Sequence, residues 1–270
     1  MTKRVMFDSN TWRQIASPAS YPKDNHAATY SSLNKVIGSC HLDAYISETT
    51  IAIEQIKRAD RLDWIKTATQ YSRPVDVPGM PWVSGYAIGL LPSKTVEPVA
   101  AEVVKRHLGD AARIGMKILK VDRAAYPESS LLAALPNSNI VVEYPRKDSL
   151  MRQLFLEIER SGRGLANLKE LGEKHTTEEV GIHWSDGIAA LDPSCGNHVA
   201  DLFGEWADGD AVAAAIGHEL DIFCTLDKAK GASAANVKSI LAEDFRAELT
   251  RAYGITFLTP KELLDCLKND

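Results

Sequence analysis

Four acidic residues fall where an α/β sheet would place chemistry. Asp8 ends the apolar run "RVMFD" and Asp227 ends "DIFCTLD". Glu48 follows "HLDAYIS" and starts a helix, and Asp210 opens the small-residue helix "DAVAAAIGHEL". Parallel sheets bind their ligands beyond the carboxyl ends of the strands. Carboxylates held together there repel and raise one another's pKa unless a cation neutralises them. A set of hard oxygen ligands, with no Cys or His among them, selects Mg²⁺ or Mn²⁺ over zinc. Such an ion keeps waters, lowers their pKa, and sets up in-line attack on phosphorus. Taken singly, each acid has a plainer reading as a cap on helix amides. Asp8 and Asp227 end apolar strands on one edge, and that joint placement favours the ligand reading.

The elements that must position these acids alternate in type. "RVMF" reads as a short buried strand, and "TWRQIA" as the start of a helix. "HAATYSSLNKVIGSC" has helical spacing with Tyr30, Leu33, Val36 and Ile37 on one side. "ETTIAIEQIKRADRLDWIKTATQ" reads as one long helix or two. From Ser72 to Pro98 the chain carries five of its twelve prolines, which is loop and linker chemistry. A mainly helical middle follows, with a strand at "GMKILKVD" and an amphipathic helix at "LMRQLFLEIERSG". The last seventy or so residues return to a strand–helix rhythm. "DIFCTLD" and "ITFL" are strands, and "TPKELLDCL" is a helix with Pro in its first turn. Alternation of this kind predicts an α/β fold with a mostly parallel sheet.

Four blocks, "VMFDSNTW", "ISETTIAIE", "GDAVAAAIGHELDIFCTLDKA" and "GITFLTPKELL", resemble the ordered signature blocks of the PIN domain, a metal-dependent nuclease fold. The resemblance covers roughly residues 3 to 60 and 200 to 268. It implies a PIN-like parallel sheet flanked by helices. The domain would be built from residues 1–70 and 196–270, with a mainly helical insertion at 71–195. The acidic cluster it implies falls on Asp8, Glu48, Asp210 and Asp227, with Asn10 and Thr225 helping to order it. Glu48 and Asp210 stand 162 positions apart, much further than is usual in that family. Asp208 competes for the third position, although only Asp210 directly precedes "AVAAA".

The net charge of −5 conceals an asymmetry: residues 57–123 hold twelve Lys or Arg against seven Asp or Glu. A basic segment in an acidic chain could hold a polyanion near a carboxylate-rich site. Lys57, Arg58, Arg61, Lys66 and Arg73 are the candidate nucleic-acid contacts, interleaved with Trp64 and Tyr71. The plainer account of this stretch, an amphipathic helix with its aromatics buried, is favoured for the rings. No apolar run is long enough to span a bilayer, and the first residues lack the pattern of a signal peptide. With Cys40, Cys195, Cys224 and Cys266 scattered, four reduced thiols in a cytoplasmic protein are expected.

Other constellations carry less. "GIHWSDG" brings His183, Ser185 and Asp186 together without a G-x-S-x-G elbow. Cys195 lies three residues before His198, with nothing to mark it as activated. There is no H-E-x-x-H spacing and no phosphate-binding G-x-x-x-x-G-K-[ST] loop. The expectation is therefore Mg²⁺- or Mn²⁺-dependent phosphodiester hydrolysis, with RNA ahead of DNA on the family resemblance and no membrane. Homo-oligomers or a protein partner stay open. The competing expectations are a non-catalytic PIN-like module that binds nucleic acid or protein, and the toxin of a toxin–antitoxin pair.

Overall fold

A computed structural model describes residues 2–67, 69–76, 84–91, 101–121, 142–143, 145–181, 183–229 and 238–269; for residues 67, 69–76, 84–91, 101 and 142–143 it describes the backbone alone. The first strand is β1 (Lys3–Phe7), followed by α1 (Ser9–Ala16), α2 (Ala27–Gly38), β2 (Leu42–Ser47) and α3 (Glu48–Glu54). A 3₁₀ turn at Arg58–Asp60 leads into α4 (Arg61–Thr67), so the "ETTIAIEQIKRADRLDWIKTATQ" stretch is a pair of helices. Strands β3 (Thr69–Asp76) and β4 (Ser84–Leu91) pair as an antiparallel ribbon of their own. Then come α5 (Ala101–Arg113), β5 (Lys117–Leu119), β6 (Val142–Glu143), α6 (Asp148–Arg160), α7 (Leu165–Glu173) and α8 (Trp184–Ala189). The chain ends with α9 (Gly196–Gly217), β7 (Ile222–Cys224), α10 (Glu243–Tyr253), β8 (Thr256–Leu258) and α11 (Pro260–Asn269).

The main sheet has the order β6-β5-β2-β1-β7-β8, and every pairing in it is parallel. The α/β class and the parallel sheet expected from the strand–helix rhythm are thus both present. Burial follows residue parity, as a sheet covered on both faces requires. Val5 and Phe7, Leu42, Ala44 and Ile46, Ile118, and Ile222 and Cys224 pack into one core together with Trp12, Leu33 and Leu108. Met6, Tyr45, Leu119 and Phe223 face the opposite core, with Met151, Leu154 and the run Ala211–Ile216. A third core, away from the sheet, joins Ile53, Leu62, Trp64 and Ile65 to Leu168, Ile188, Phe203 and Trp206.

Two departures from the sequence reading bear on the site. Residues 71–195 do not stand apart from the sheet: β5 pairs with β2 and β6 with β5, and this stretch also contains the β3–β4 ribbon. The helix that carries Asp210 begins fourteen residues earlier than "DAVAAA", at Gly196. It runs straight through Gly204 and Gly209. A Cβ at Gly209 would stand 3.2 Å from the Cα of Gly164, so that glycine serves close approach of the α6–α7 connection and not helix termination. At 22 residues α9 is about 33 Å long. Its first half lies in the third core and its second half crosses the sheet.

Strand order places a switch point at β1. The chain steps outward from β1 to β2, β5 and β6, then returns to the other side of β1 for β7 and β8. The carboxyl ends of β1 and β7 therefore border the crevice where such folds bind ligands.

Candidate functional site

Asp8 directly follows β1 at that crevice. Its amide donates to the carbonyl of Cys224, 3.1 Å away, and its side chain accepts from the amide of Ser9 at 2.6 Å as the N-cap of α1. Oδ2 is held by Thr225 Oγ1 (2.6 Å) and Asn10 Nδ2 (2.8 Å). Asn10 in turn accepts from the amide of Leu226 at 3.0 Å. Thr225 Oγ1 accepts from the amide of Asp227 at 2.9 Å, and Asp227 Oδ1 from the amide of Ala229 at 2.6 Å. Both supporting residues expected from the sequence thus bridge the ends of β1 and β7. They leave Asp8 fixed on three donors while only 1% exposed.

Asp208 approaches from α9. Its carboxyl is buried and in hydrogen-bond contact with that of Asp8. Burial, then the charges of Asp8, Glu205 and Asp227, hold its pKa well above the carboxylate range. Asp8 is raised too, chiefly by burial and further by Asp227, against the lowering effect of Thr225 and Ser9. Glu205, one helical turn before Asp208, is pushed up to about 7 by burial, offset in part by hydrogen bonds from Ser239 and the Ile240 amide. Asp8, Asp208, Asp227 and Glu205 therefore share one electrostatic environment.

A second buried acid lies on the opposite flank. Glu54, the last residue of α3, accepts from Trp12 Nε1 at 3.0 Å and pairs with Arg13 Nη2 at 3.5 Å. Burial raises it to about 7, and the Asp8 charge adds to that rise. Neither Glu54 nor Glu205 was singled out by sequence reasoning. The available signal for Glu205 was its i, i+3 spacing to Asp208 on one helix face.

The remaining acids of the expected set are bonded elsewhere. Glu48 opens α3 as expected, but its Oε1 pairs with Lys120 Nζ at 2.7 Å and its Oε2 accepts from the Val121 amide at 3.0 Å. Asp210 lies in mid-helix, where Oδ2 accepts from Trp206 Nε1 (2.9 Å) and Thr49 Oγ1 (3.3 Å). Residues two apart on a helix point to different sides of it, so Asp208 and Asp210 leave α9 in different directions. Asp208 is the member of the pair that reaches Asp8. Among the described residues, no three His, Cys, Asp or Glu side chains converge closely enough to grip a metal ion as they stand.

Of the candidate nucleic-acid contacts, Lys57 is exposed, and Arg58 pairs with Asp201 at 2.5 Å. Arg61 donates to the carbonyl of Ala200 (2.7 Å) beside the Phe203 ring, and Lys66 to that of Leu191 (3.0 Å). The side chain of Arg73, like that of Tyr71, lies outside the described residues. Trp64 is 8% exposed and packs edge-on against Phe203, so it is a core residue and not a stacking platform. All four cysteines are free thiols.

No family model matches the chain, and no solved structure matches it. Uncharacterized ABC transporter permeases from two strains of Mycobacterium tuberculosis are each 37% identical to it over 78 residues, 29% of this chain and 21% of theirs. The chain thus aligns with about a fifth of the length of these curated relatives. Among the described residues, no helix is long and apolar enough to cross a membrane.

Proposed function

We propose that the chain is a PIN-like, metal-dependent phosphodiesterase acting on nucleic acid, a ribonuclease, with its site at the carboxyl ends of β1 and β7. The observation that carries this reading is the Asp8–Asp208 pair: two buried carboxyls, one at the end of β1 and one on the inner face of α9, both raised by burial, with Asp227 and Glu205 in their field. A buried acidic pair is costly unless a proton or a cation neutralises it. The donor chemistry is that of a hard divalent ion; Asp8, Asp208 and Asp227, which do not converge as they stand, are the residues that would have to close round it. When bound, Mg²⁺ or Mn²⁺ would neutralise the cluster, lower the pKa of water and stabilise charge on the phosphoryl oxygens.

The chain's own groups have separable tasks in this scheme. Asn10 and Thr225 fix the Asp8 carboxylate so that one oxygen keeps a constant direction. Glu205, held near neutrality, is suited to take up a proton at physiological pH. Glu48 and Asp210, committed to Lys120 and to Trp206 and Thr49, brace α3 and α9 around the site.

Calorimetric titration with Mn²⁺ tests the reading on wild type, Asp8→Asn and Asp208→Asn, followed by RNA cleavage on whichever proteins bind. Wild type should bind and cleave, and both variants should lose most of the affinity. A folded wild type that ignores Mn²⁺ would sink the metal-dependent reading. It would leave the second one, a non-catalytic nucleic-acid-binding module, which the prior commitment of Glu48 and Asp210 to other partners favours.

A further inference from the structure

At the end of α1 remote from Asp8, a chain of polar side chains ties that helix to α5. His107, in mid-α5, is 2% exposed, and Ser17, which closes α1, is buried too. Ser17 Oγ donates to Asp110 Oδ2, and His107 Nδ1 stands 2.9 Å from Ser17 Oγ. A hydroxyl has one hydrogen, and an ionised carboxylate has none to give. Ser17 therefore accepts from His107, and the imidazole proton sits on Nδ1. Nε2 is left as an acceptor, 3.3 Å from the Tyr21 hydroxyl, whose ring stacks on the imidazole at 28°. Asp110 Oδ1 is anchored by Arg113 Nη1 at 2.8 Å. From Tyr21 through His107 and Ser17 to Asp110, every donor points one way, which fixes a single tautomer of the neutral ring.

The same ring is joined to the candidate site. Trp12 meets it at 89° with centroids 6.4 Å apart, and Trp12 Nε1 donates to Glu54 Oε2 at 3.0 Å. Among the described residues, the charged groups that face His107 are Arg106 and Asp110 from α5 and Arg13 from α1; Tyr21, which closes the 3₁₀ turn after α1, is its other titratable neighbour. Burial first, then the two arginines, hold the imidazole below its ordinary 6.5, against the pull of Asp110.

We propose that His107 is a pH-operated latch between α5 and α1, closed while its ring is neutral and released when the ring takes up a proton, so that acid loosens α1 and the hold of Trp12 on Glu54. Protonation places a hydrogen on Nε2, where the chain requires an acceptor. The Tyr21 hydrogen must then turn away, and a buried positive charge faces Arg13 and Arg106. A released ring takes up the proton more readily than the latched one. Closure is therefore complete above pH 6.5 and is lost as the pH falls below it. The latch does not depend on what the acidic cluster binds, so its failure would leave the nuclease reading standing, and the reverse holds as well.

The test is nitrogen NMR of the histidine rings in the full chain, in EDTA, from about pH 5 to about pH 8, with His107 assigned by sequential connectivities. The two ring-nitrogen shifts report both the tautomer and the titration midpoint. His107 should carry its proton on Nδ1 at the alkaline end and titrate below 6.5. A proton on Nε2, or a midpoint at or above 6.5, overturns the latch. Tyr21→Phe keeps the stacked ring and removes the donor to Nε2, so the midpoint should move up; an unmoved midpoint overturns the chain. The indole resonance of Trp12 is followed in Glu54→Gln, where ionisation of that acid cannot disturb it. It should shift in step with His107, and a flat response overturns the link to the site. His107→Asn still offers a donor to Ser17 but cannot titrate, and should abolish the Trp12 response. If that variant does not fold, Tyr21→Phe decides: the Trp12 transition should move up in pH together with the His107 midpoint, and a transition that stays behind overturns the latch.

Discussion

Replacing Glu205 by Gln should stabilise the metal-free protein, and only at the pH values where Glu205 is forced to ionise. Glu205 lies on α9 and is 9% exposed, with its carboxyl raised from the ordinary 4.5 to about 7 by burial and by Asp227. A raised carboxyl binds its proton more tightly in the folded than in the unfolded chain. Stability is therefore full below pH 4.5 and falls as pH rises toward 7, after which it levels off. The difference between about 7 and 4.5 corresponds to about 3 kcal/mol of stability lost by pH 8. Gln has the same shape and can still accept from the Ile240 amide, but carries no charge at any pH. The stability of Glu205→Gln relative to wild type should be near zero at pH 4.5 and rise to about 3 kcal/mol at pH 8. That corresponds to roughly 6–12 °C in Tm for a chain of this size. Thermal unfolding in EDTA across that range reads the effect directly. A difference that is flat with pH would refute the placement of Glu205 in the acidic cluster. In saturating Mn²⁺ the wild-type penalty at pH 8 should shrink, because the cation answers the same repulsion.

Glu48→Gln should lose the Lys120 ion pair at a cost of about 1–2 kcal/mol, yet keep Mn²⁺ affinity within about twofold of wild type in calorimetry, since its oxygens are already taken. Thr225→Val removes the hydroxyl that holds both Asp8 and the Asp227 amide; a stability loss of about 1–3 kcal/mol in urea unfolding and weaker Mn²⁺ binding are expected, with wild-type affinity the refuting result. Gly187→Ala tests the packing around the third core: the new Cβ would sit 1.9 Å from the carbonyl oxygen of Gly172, so unfolding should shift by at least about 3 kcal/mol, or the protein should not accumulate in soluble form.

How much of this was legible in the sequence depended on whether a feature was local. The strands β1, β2, β7 and β8 are short apolar runs with clear ends, and their parity assigns both faces of the sheet. Asp8 and Asp227 were readable for the same reason, and Asn10 and Thr225 lie within two residues of them. Asp208 and Asp210 were harder, because the choice turns on where α9 starts. Gly204 and Gly209 read as breakers in a sequence, whereas the packing against Gly164 makes Gly209 a contact residue inside a continuous helix. Once α9 is extended to Gly196, helical geometry alone sends Asp208 to Asp8 and Asp210 to Trp206. Glu48 has its partner 72 positions downstream at Lys120, a pairing made only by β5 lying beside β2. Glu54 is the converse case. It closes the helix that Glu48 opens, and only the packing of α1 on α3 brings Trp12 and Arg13 to it.

The cluster also accounts for a feature of the fold that packing alone does not require. Most of α9 is buried, yet it carries Glu205, Asp208 and Asp210. Asp210 Oδ2 accepts from the neutral donors Trp206 Nε1 and Thr49 Oγ1. Glu205 and Asp208 have carboxyls raised by burial and by their acidic neighbours. An apolar pair at those two positions would make the helix a better core element and the protein more stable. Keeping two buried acids beside Asp8 and Asp227, at the switch point of a parallel sheet, has a physical rationale when something positive binds there. The α9 side is the one that calls for a cation, and a divalent ion held there would present positive charge to a phosphodiester, so Mn²⁺ and a non-cleavable single strand should each raise the affinity of the other. Titrating the strand with and without Mn²⁺ measures that coupling, and independent binding would refute a shared site.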